Sequence, residues 1–305
     1  MSALQARLGG RSSRPSLRHR LALRGLDRTT MLVLPATGVI GLLFIYPMLY
    51  GLGLSLSPAH GGGAFAEYRQ FFADSYLRGT IGITFKLGLP AALISVVASV
   101  PVAYRLRGQR RGRRLTTAVL VVPITLGTVL TADGLIEFLG PAGWLNKVLM
   151  TLHLTSSPLN LVHNYWGVLA SLLITGFPFA YLLTSSYLSG IDPALERAAA
   201  TLGAGPRQRF TRVSLPLLAP GLVINFCLSF VLAFSVFPSA QLVGDPSGST
   251  HVLSIAAYHE AFEAYDYPLG SAIAMVMAAL MLVVVVAMLL LRSRLYRGAT
   301  SGGKG

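Results

Sequence analysis

Gly190-Ile191-Asp192-Pro193-Ala194-Leu195-Glu196-Arg197-Ala198-Ala199-Ala200-Thr201-Leu202-Gly203, followed after nine residues by Val213-Ser214-Leu215-Pro216, is the stretch that decides the fold. Apolar runs long enough to cross a bilayer stand on both sides of it. The stretch itself carries Asp192, Glu196 and the arginines Arg197, Arg207, Arg209 and Arg212, a density of charge that does not enter hydrocarbon. Its periodicity is that of two short helices broken at Gly203. A helical but polar loop between two spans is a surface on which something outside the membrane docks.

The composition around this loop supports that setting. Hydrophobic residues make up 53% and charged residues 12% of 305, far from the soluble norm of about a quarter charged. A span needs about 20 mainly apolar residues, and six stretches qualify: 30–56, 80–104, 115–138, 164–188, 217–241 and 268–291. The fold expected is therefore an all-α integral membrane protein with six transmembrane helices. A basic tail fills 1–29, the six-helix domain 30–297 and a short tail 298–305. The apolar run after the basic start is about twice the length of a signal core and reads as a retained first span.

Arginine placement orients the chain, because loops on the cytoplasmic side are enriched in Lys and Arg. Arg7, Arg11, Arg14, Arg18, Arg20, Arg24 and Arg28 precede the first span, and Arg105, Arg107, Arg110, Arg111, Arg113 and Arg114 lie around the second connection. The loop over 190–216 and the segment after the last span are also basic. With six spans all four segments share one side, so both termini and the loop are expected in the cytoplasm. The other side collects Glu67, Asp74, Asp245, Glu260, Glu263 and Asp266. The net charge of +14 thus answers to topology and anionic headgroups rather than to nucleic acid.

The opening motif resembles the EAA loop of permease subunits of bacterial ABC importers: Glu-Ala-Ala, three residues, Gly, nine residues, an aliphatic residue, any residue, then Leu-Pro. Ala198, Ala199, Gly203, Val213, Leu215 and Pro216 stand in register. Arg197 occupies the usual glutamate position, with Glu196 one residue earlier. A helix turns about 100° per residue, so Glu196 points elsewhere. Gly140-Pro141-Ala142-Gly143-Trp144-Leu145-Asn146 resembles an external helix of the same family. Tyr265-Asp266-Tyr267-Pro268 is similar to the entry to the last helix in polyamine-type members.

The resemblance implies a type I ABC importer permease fold in a bacterial cytoplasmic membrane. It also implies two ATPase subunits that hold ATP and Mg, a second permease subunit, identical or related, an external substrate-binding protein and surrounding lipid. ATPase coupling would fall to Leu195, Glu196, Arg197, Ala198, Ala199, Leu202, Gly203, Leu215 and Pro216, a short helix over 195–202 entering a cleft on the ATPase.

No catalytic or metal site is legible. The chain lacks a Gly-x4-Gly-Lys-Ser/Thr phosphate loop, so ATP hydrolysis belongs to partners. His259-Glu260-Ala261-Phe262-Glu263 begins like a zinc-protease helix without its second histidine. Asp133 and Glu137, four apart near the outer end of the third span, lie on one helical face. Either they form a cation-attracting vestibule on the translocation path, or the helix ends before them and both are solvated. The acidic outer side and the polyamine resemblance point to a small cationic or zwitterionic solute; sugar, aminophosphonate and ferric iron stay open. The rival readings are a secondary transporter, which would show inverted repeats and broken helices, and a membrane scaffold.

Overall fold

In hydrocarbon every backbone polar group must be satisfied within the chain, which leaves helices as the economical solution for a chain this apolar. The computed structural model describes residues 28–58 and 61–296, among which helices occur and strands do not. All but the last two residues of the expected basic tail, and the whole expected tail 298–305, lie outside the described residues. Twelve α-helices follow in order: α1 (Arg28–Ser55), α2 (Ala66–Ala73), α3 (Ser75–Leu106), α4 (Arg110–Leu139), α5 (Trp144–Thr151), α6 (Tyr165–Ser189), α7 (Pro193–Thr201), α8 (Pro206–Arg209), α9 (Leu215–Phe234), α10 (Pro238–Leu242), α11 (Leu253–Tyr258) and α12 (Tyr267–Tyr296). Two π-helical turns, Phe210–Ser214 and His259–Glu263, precede α9 and follow α11.

Among the described residues six stretches are long and apolar enough to cross a membrane: Pro35–Ser55, Ser75–Leu106, Arg111–Thr151, Tyr165–Ser189, Pro206–Phe234 and Tyr267–Ser293. They coincide with the six expected spans. The chain divides into two compact units at Gly53 and Leu54. The described part of the first is nearly all of α1, which holds Pro35 and Pro47 and exposes Leu42, Leu43, Phe44 and Tyr46.

In the second unit α3 and α6 form the central pair, with α9 against both and α12 against α9 and α11. Phe71, Leu77, Phe226, Phe230, Phe234 and Ile273 fill the largest apolar cluster. Close approach is set by a small residue. A Cβ at Gly88 would stand 3.2 Å from the Phe234 Cα, tighter than an ordinary contact, so the glycine lets α3 pack directly on the α9 backbone without displacement.

Polar side chains join the same three helices at their buried centre. Ser99 Oγ and Thr184 Oγ1 are 2.6 Å apart. Asn225 Nδ2 donates to Ala180 O at 2.8 Å and to Thr184 Oγ1 at 2.9 Å. Interhelical bonds of this kind stabilise apolar bundles by about 0.6 to 2 kcal/mol each.

Two features depart from the sequence expectation. The fifth span, expected to reach 241, stops at Phe234. Pro238 disfavours helix at the residue before it, and Phe237 sits at φ −128°, so the chain turns and restarts as α10. The third span is broken at Gly127, whose φ of 74° and ψ of 173° split α4 into 110–126 and 128–139. Between spans five and six stands α11, where Leu253 and Ile255, with Val252 just before them, are buried. Leu253 N–H donates to Thr84 Oγ1 at 2.9 Å and so ties α11 to α3.

Candidate functional site

The motif loop folds as two short helices around Gly203, and each boundary has a local cause. Asp192 caps α7, its Oδ1 accepting from Ala194 N–H at 2.8 Å, and Pro193 occupies the first helical turn where its missing N–H costs nothing. The helix ends because Gly203 takes φ 84°. There Gly203 N–H donates to Ala200 O and Ala204 N–H to Ala199 O, both at 3.0 Å, closing the last turn through a left-handed residue. The loop's roots are fixed by buried Leu188, Ile191 and Leu218, which pack with Val100, Ala103 and Tyr181. The Phe210 ring packs at a tilt against the Tyr104 ring of α3, with centroids 4.7 Å apart.

One face of α7 is held inward and the other is left free. Glu196 Oε1 accepts from Arg107 Nη1 at 2.8 Å and from Ser214 Oγ, and Arg107 Nη2 also donates to the Ile191 carbonyl. The two charged side chains are mostly covered, at 16% and 19% exposure. Leu195 at 47%, Leu202 at 88%, Arg197 and Ala198 are exposed, with Ala199 and Leu215 half-buried and Pro216 exposed. Glu196 and Arg197 therefore divide their work: the acid staples the loop to the second connection, and the arginine stands at the surface.

Sequence reasoning turned Glu196 away from the free face but did not find Arg107, which is 89 residues distant in sequence. It also missed the role of Asn146. That buried amide donates through Nδ2 to Gly140 O at 2.8 Å and Leu159 O at 3.0 Å, while its Oδ1 accepts from Leu159 N–H at 2.8 Å. The expected external helix is α5, and Asn146 ties it to both flanking loops; Trp144 is exposed.

Asp133 and Glu137 lie on the exposed face of the half-helix 128–139, opposite buried Ala132, Leu135 and Leu139. Neither lines the cavity of about 140 Å³ that opens beside the Gly127 break. Ser95, Thr128, Thr175, Gly176 and Ser229 supply its polar and backbone surface. Among the described residues no cluster of His, Cys, Asp or Glu is fit to hold a metal ion. His259, the candidate zinc-motif residue, instead stands 3.6 Å from both Glu260 and Glu263 on the same turn.

Residues 63–299, most of this bundle and the whole loop, match the family described as the binding-protein-dependent transport system inner membrane component. The chain belongs to that family. It is an ABC importer permease subunit, a transport subunit and not an enzyme, with the type I permease fold. This permease is 29% identical over 205 residues to a probable sulfate transport system permease protein cysT of Prototheca wickerhamii, covering 67% of this chain and 78% of that one. It is 28% identical over 244 residues to the spermidine/putrescine transport system permease protein PotB of Haemophilus influenzae, covering 78% and 84%.

Two solved structures share the permease fold. A bacterial alginate ABC transporter in complex with alginate pentasaccharide-bound periplasmic protein matches with a TM-score of 0.78 and 21% identity, over 92% of this chain and 98% of that one. The inward-facing MetNI methionine ABC transporter matches with a TM-score of 0.53 and 17% identity, over 73% and 95%.

Proposed function

We propose that this permease carries a small charged solute across a bacterial cytoplasmic membrane and receives its driving force through residues 190–216. Both termini and the loop face the cytoplasm in this reading. A short helix, α7, enters a cleft on an ATPase subunit that holds ATP and Mg, with Leu195, Ala198 and Leu202 as the contact face and Ala199 allowing close approach. Gly203 turns the chain and Leu215-Pro216 starts the fifth span. A second permease subunit completes the path, and an external binding protein delivers the solute.

The observation that carries this reading is the division of α7 into a stapled face and a bare one. An exposed leucine at the tip of a polar loop costs about 25 cal/mol per Å² of apolar surface unless something covers it. Nucleotide-driven closure of the ATPase pair would pull the loops together, and the loaded binding protein would favour the same outward-facing state. Ligands shift such an equilibrium only by their differential affinity for its two states.

Two substrate chemistries are in play. A polyamine-like cation is supported by the acids Asp133 and Glu137 on an exposed face of α4, and the spermidine/putrescine relative agrees with it. A sulfate-like anion is supported by the cavity at Gly127 and by the cysT relative.

Affinity capture of the tagged full chain from membranes tests the coupling. The expected outcome is recovery of a Walker-motif ATPase, lost on Ala199→Asp. Normal capture and normal transport by Ala199→Asp would sink the assignment of α7 as the coupling helix.

A further inference from the structure

Resting on the reading of this chain as an importer permease, we propose that the cavity at the Gly127 break is a transit site for a compact tetrahedral oxyanion of the sulfate type. The hydroxyls of Ser95 and Thr128 and the amino end of the half-helix 128–139 would hold it. The cavity is about 140 Å³, lies against the middle of α6 at Gly176, and has no charged side chain among its lining residues.

Three observations favour an anion there. First, Gly127 leaves helical geometry at φ 74° and ψ 173°, so a fresh twelve-residue helix begins at Thr128 beside the cavity. The first N–H groups of a helix lack internal acceptors and carry the positive end of its dipole. Broken spans whose half-helix amino ends face a cavity suit anionic substrate groups. Second, Ser95 is 1% exposed, lines the cavity, and makes no hydrogen bond among the described residues. Its hydroxyl opens on the cavity with its proton uncommitted, so a passing acceptor can take a hydrogen bond from it. Third, the acids Asp133 and Glu137 of the same half-helix point to its exposed side, so they do not repel an anion from the cavity at close range.

Gly176 keeps the space open. A Cβ there would come within 3.6 Å of Ser95 Oγ and occupy part of the cavity. The other hydroxyls of the lining are engaged: Thr175 Oγ1 donates to Ser171 O at 2.9 Å, and Ser229 Oγ to Asn225 Oδ1 at 3.3 Å. Few free donors make a weak site. A transit site must also release its ion, so weak binding suits it.

Cysteine protection in the full chain in lipid nanodiscs tests the site. Cys227→Ser removes the native thiol, and Thr128→Cys or Leu232→Cys, each lining the cavity, then reports alkylation by N-ethylmaleimide. Sodium sulfate, at constant ionic strength against chloride, is expected to slow both reporters, with putrescine without effect. Adding Ser95→Ala to the Leu232→Cys reporter should raise the half-protecting sulfate concentration about tenfold, the loss of one charge-assisted hydrogen bond.

Failure of sulfate to protect either reporter would overturn the proposal. So would protection by putrescine, or indifference of sulfate protection to Ser95→Ala. ATPase capture is read separately. A chain that captures the ATPase but gains no sulfate protection keeps the importer reading and loses the oxyanion site.

Discussion

Arg107→Ala should loosen the motif loop without unfolding the bundle. Arg107 makes two bonds that no other residue replaces: Nη1 to Glu196 Oε1 at 2.8 Å and Nη2 to the Ile191 carbonyl. Hydrogen bonds to charged groups contribute about 1.5 to 3 kcal/mol, and breaking a fully buried pair costs about 3 to 5 kcal/mol. This pair is 16% and 19% exposed, so water reaches part of the vacated site and Ser214 stays on the carboxylate. The net cost is then about 2 kcal/mol, which raises the open population of the loop about thirtyfold. Hydrogen–deuterium exchange on the full chain in nanodiscs measures it. Amides over 192–216 should exchange about thirtyfold faster, while the middle of α3 is unchanged, because local openings report their own free energy. A double-mutant cycle with Glu196→Gln isolates the pair. Unchanged exchange in both single variants, or additive effects in the double, would refute the staple.

Other substitutions probe separate parts of the argument. Gly203→Val forces a β-branched residue to φ 84°; it should destabilise the turn after α7 by about 1 to 2 kcal/mol and weaken ATPase capture, read by quantitative pull-down. Asn146→Ala leaves the Gly140 and Leu159 carbonyls and the Leu159 N–H without their partner. A loss of about 1 to 3 kcal/mol, seen as a lower midpoint in detergent unfolding, follows from orphaning the buried Gly140 carbonyl, while water can reach the half-exposed Leu159 groups. Gly88→Leu places a side chain where even a Cβ meets the Phe234 Cα at 3.2 Å. It should destabilise the α3–α9 contact by about 1 to 3 kcal/mol, and a variant with wild-type thermal stability would contradict the packing described.

What the sequence made legible follows physical range. Spans are encoded by runs of apolar residues, and all six were found, because lipid imposes helices on any such run. The motif loop was legible because its turn at Gly203 and its small Ala198 and Ala199 are local. The break at Gly127 was not. A glycine in an apolar run reads as a packing residue, and hydropathy carries no information on the sign of φ. The end of the fifth span was overrun because Val236 and Phe237 remain apolar while Pro238 alone interrupts the helix. Arg107 was counted among the basic residues that orient the chain, and nothing local distinguishes it from Arg105 or Arg110. Its pairing with Glu196 needs the second and fourth connections to meet in space.

That pairing gives the permease a physical route from loop to cavity. Arg107 follows directly on the end of α3, so displacement of α7 pulls on that helix through Glu196. Two turns up α3, Ser99 joins Thr184 of α6, and Asn225 of α9 joins the same threonine. The cavity residues Ser95 and Ser229 stand one helical turn beyond Ser99 and Asn225, each on the same face of its own helix as that partner. A movement of α3 relative to α9 therefore changes the distance across the cavity, while the close contact of Gly88 with Phe234 ties the two helices together on its far side. Force entering at α7 and following this route would make the cavity answer to the loop. In the complex with its ATPase, alkylation of a cysteine at 232 should depend on bound nucleotide, and Arg107→Ala should abolish that dependence. Retention of nucleotide dependence in Arg107→Ala would mean that the force enters the bundle elsewhere, through Phe210 and Leu218 at the root of α9.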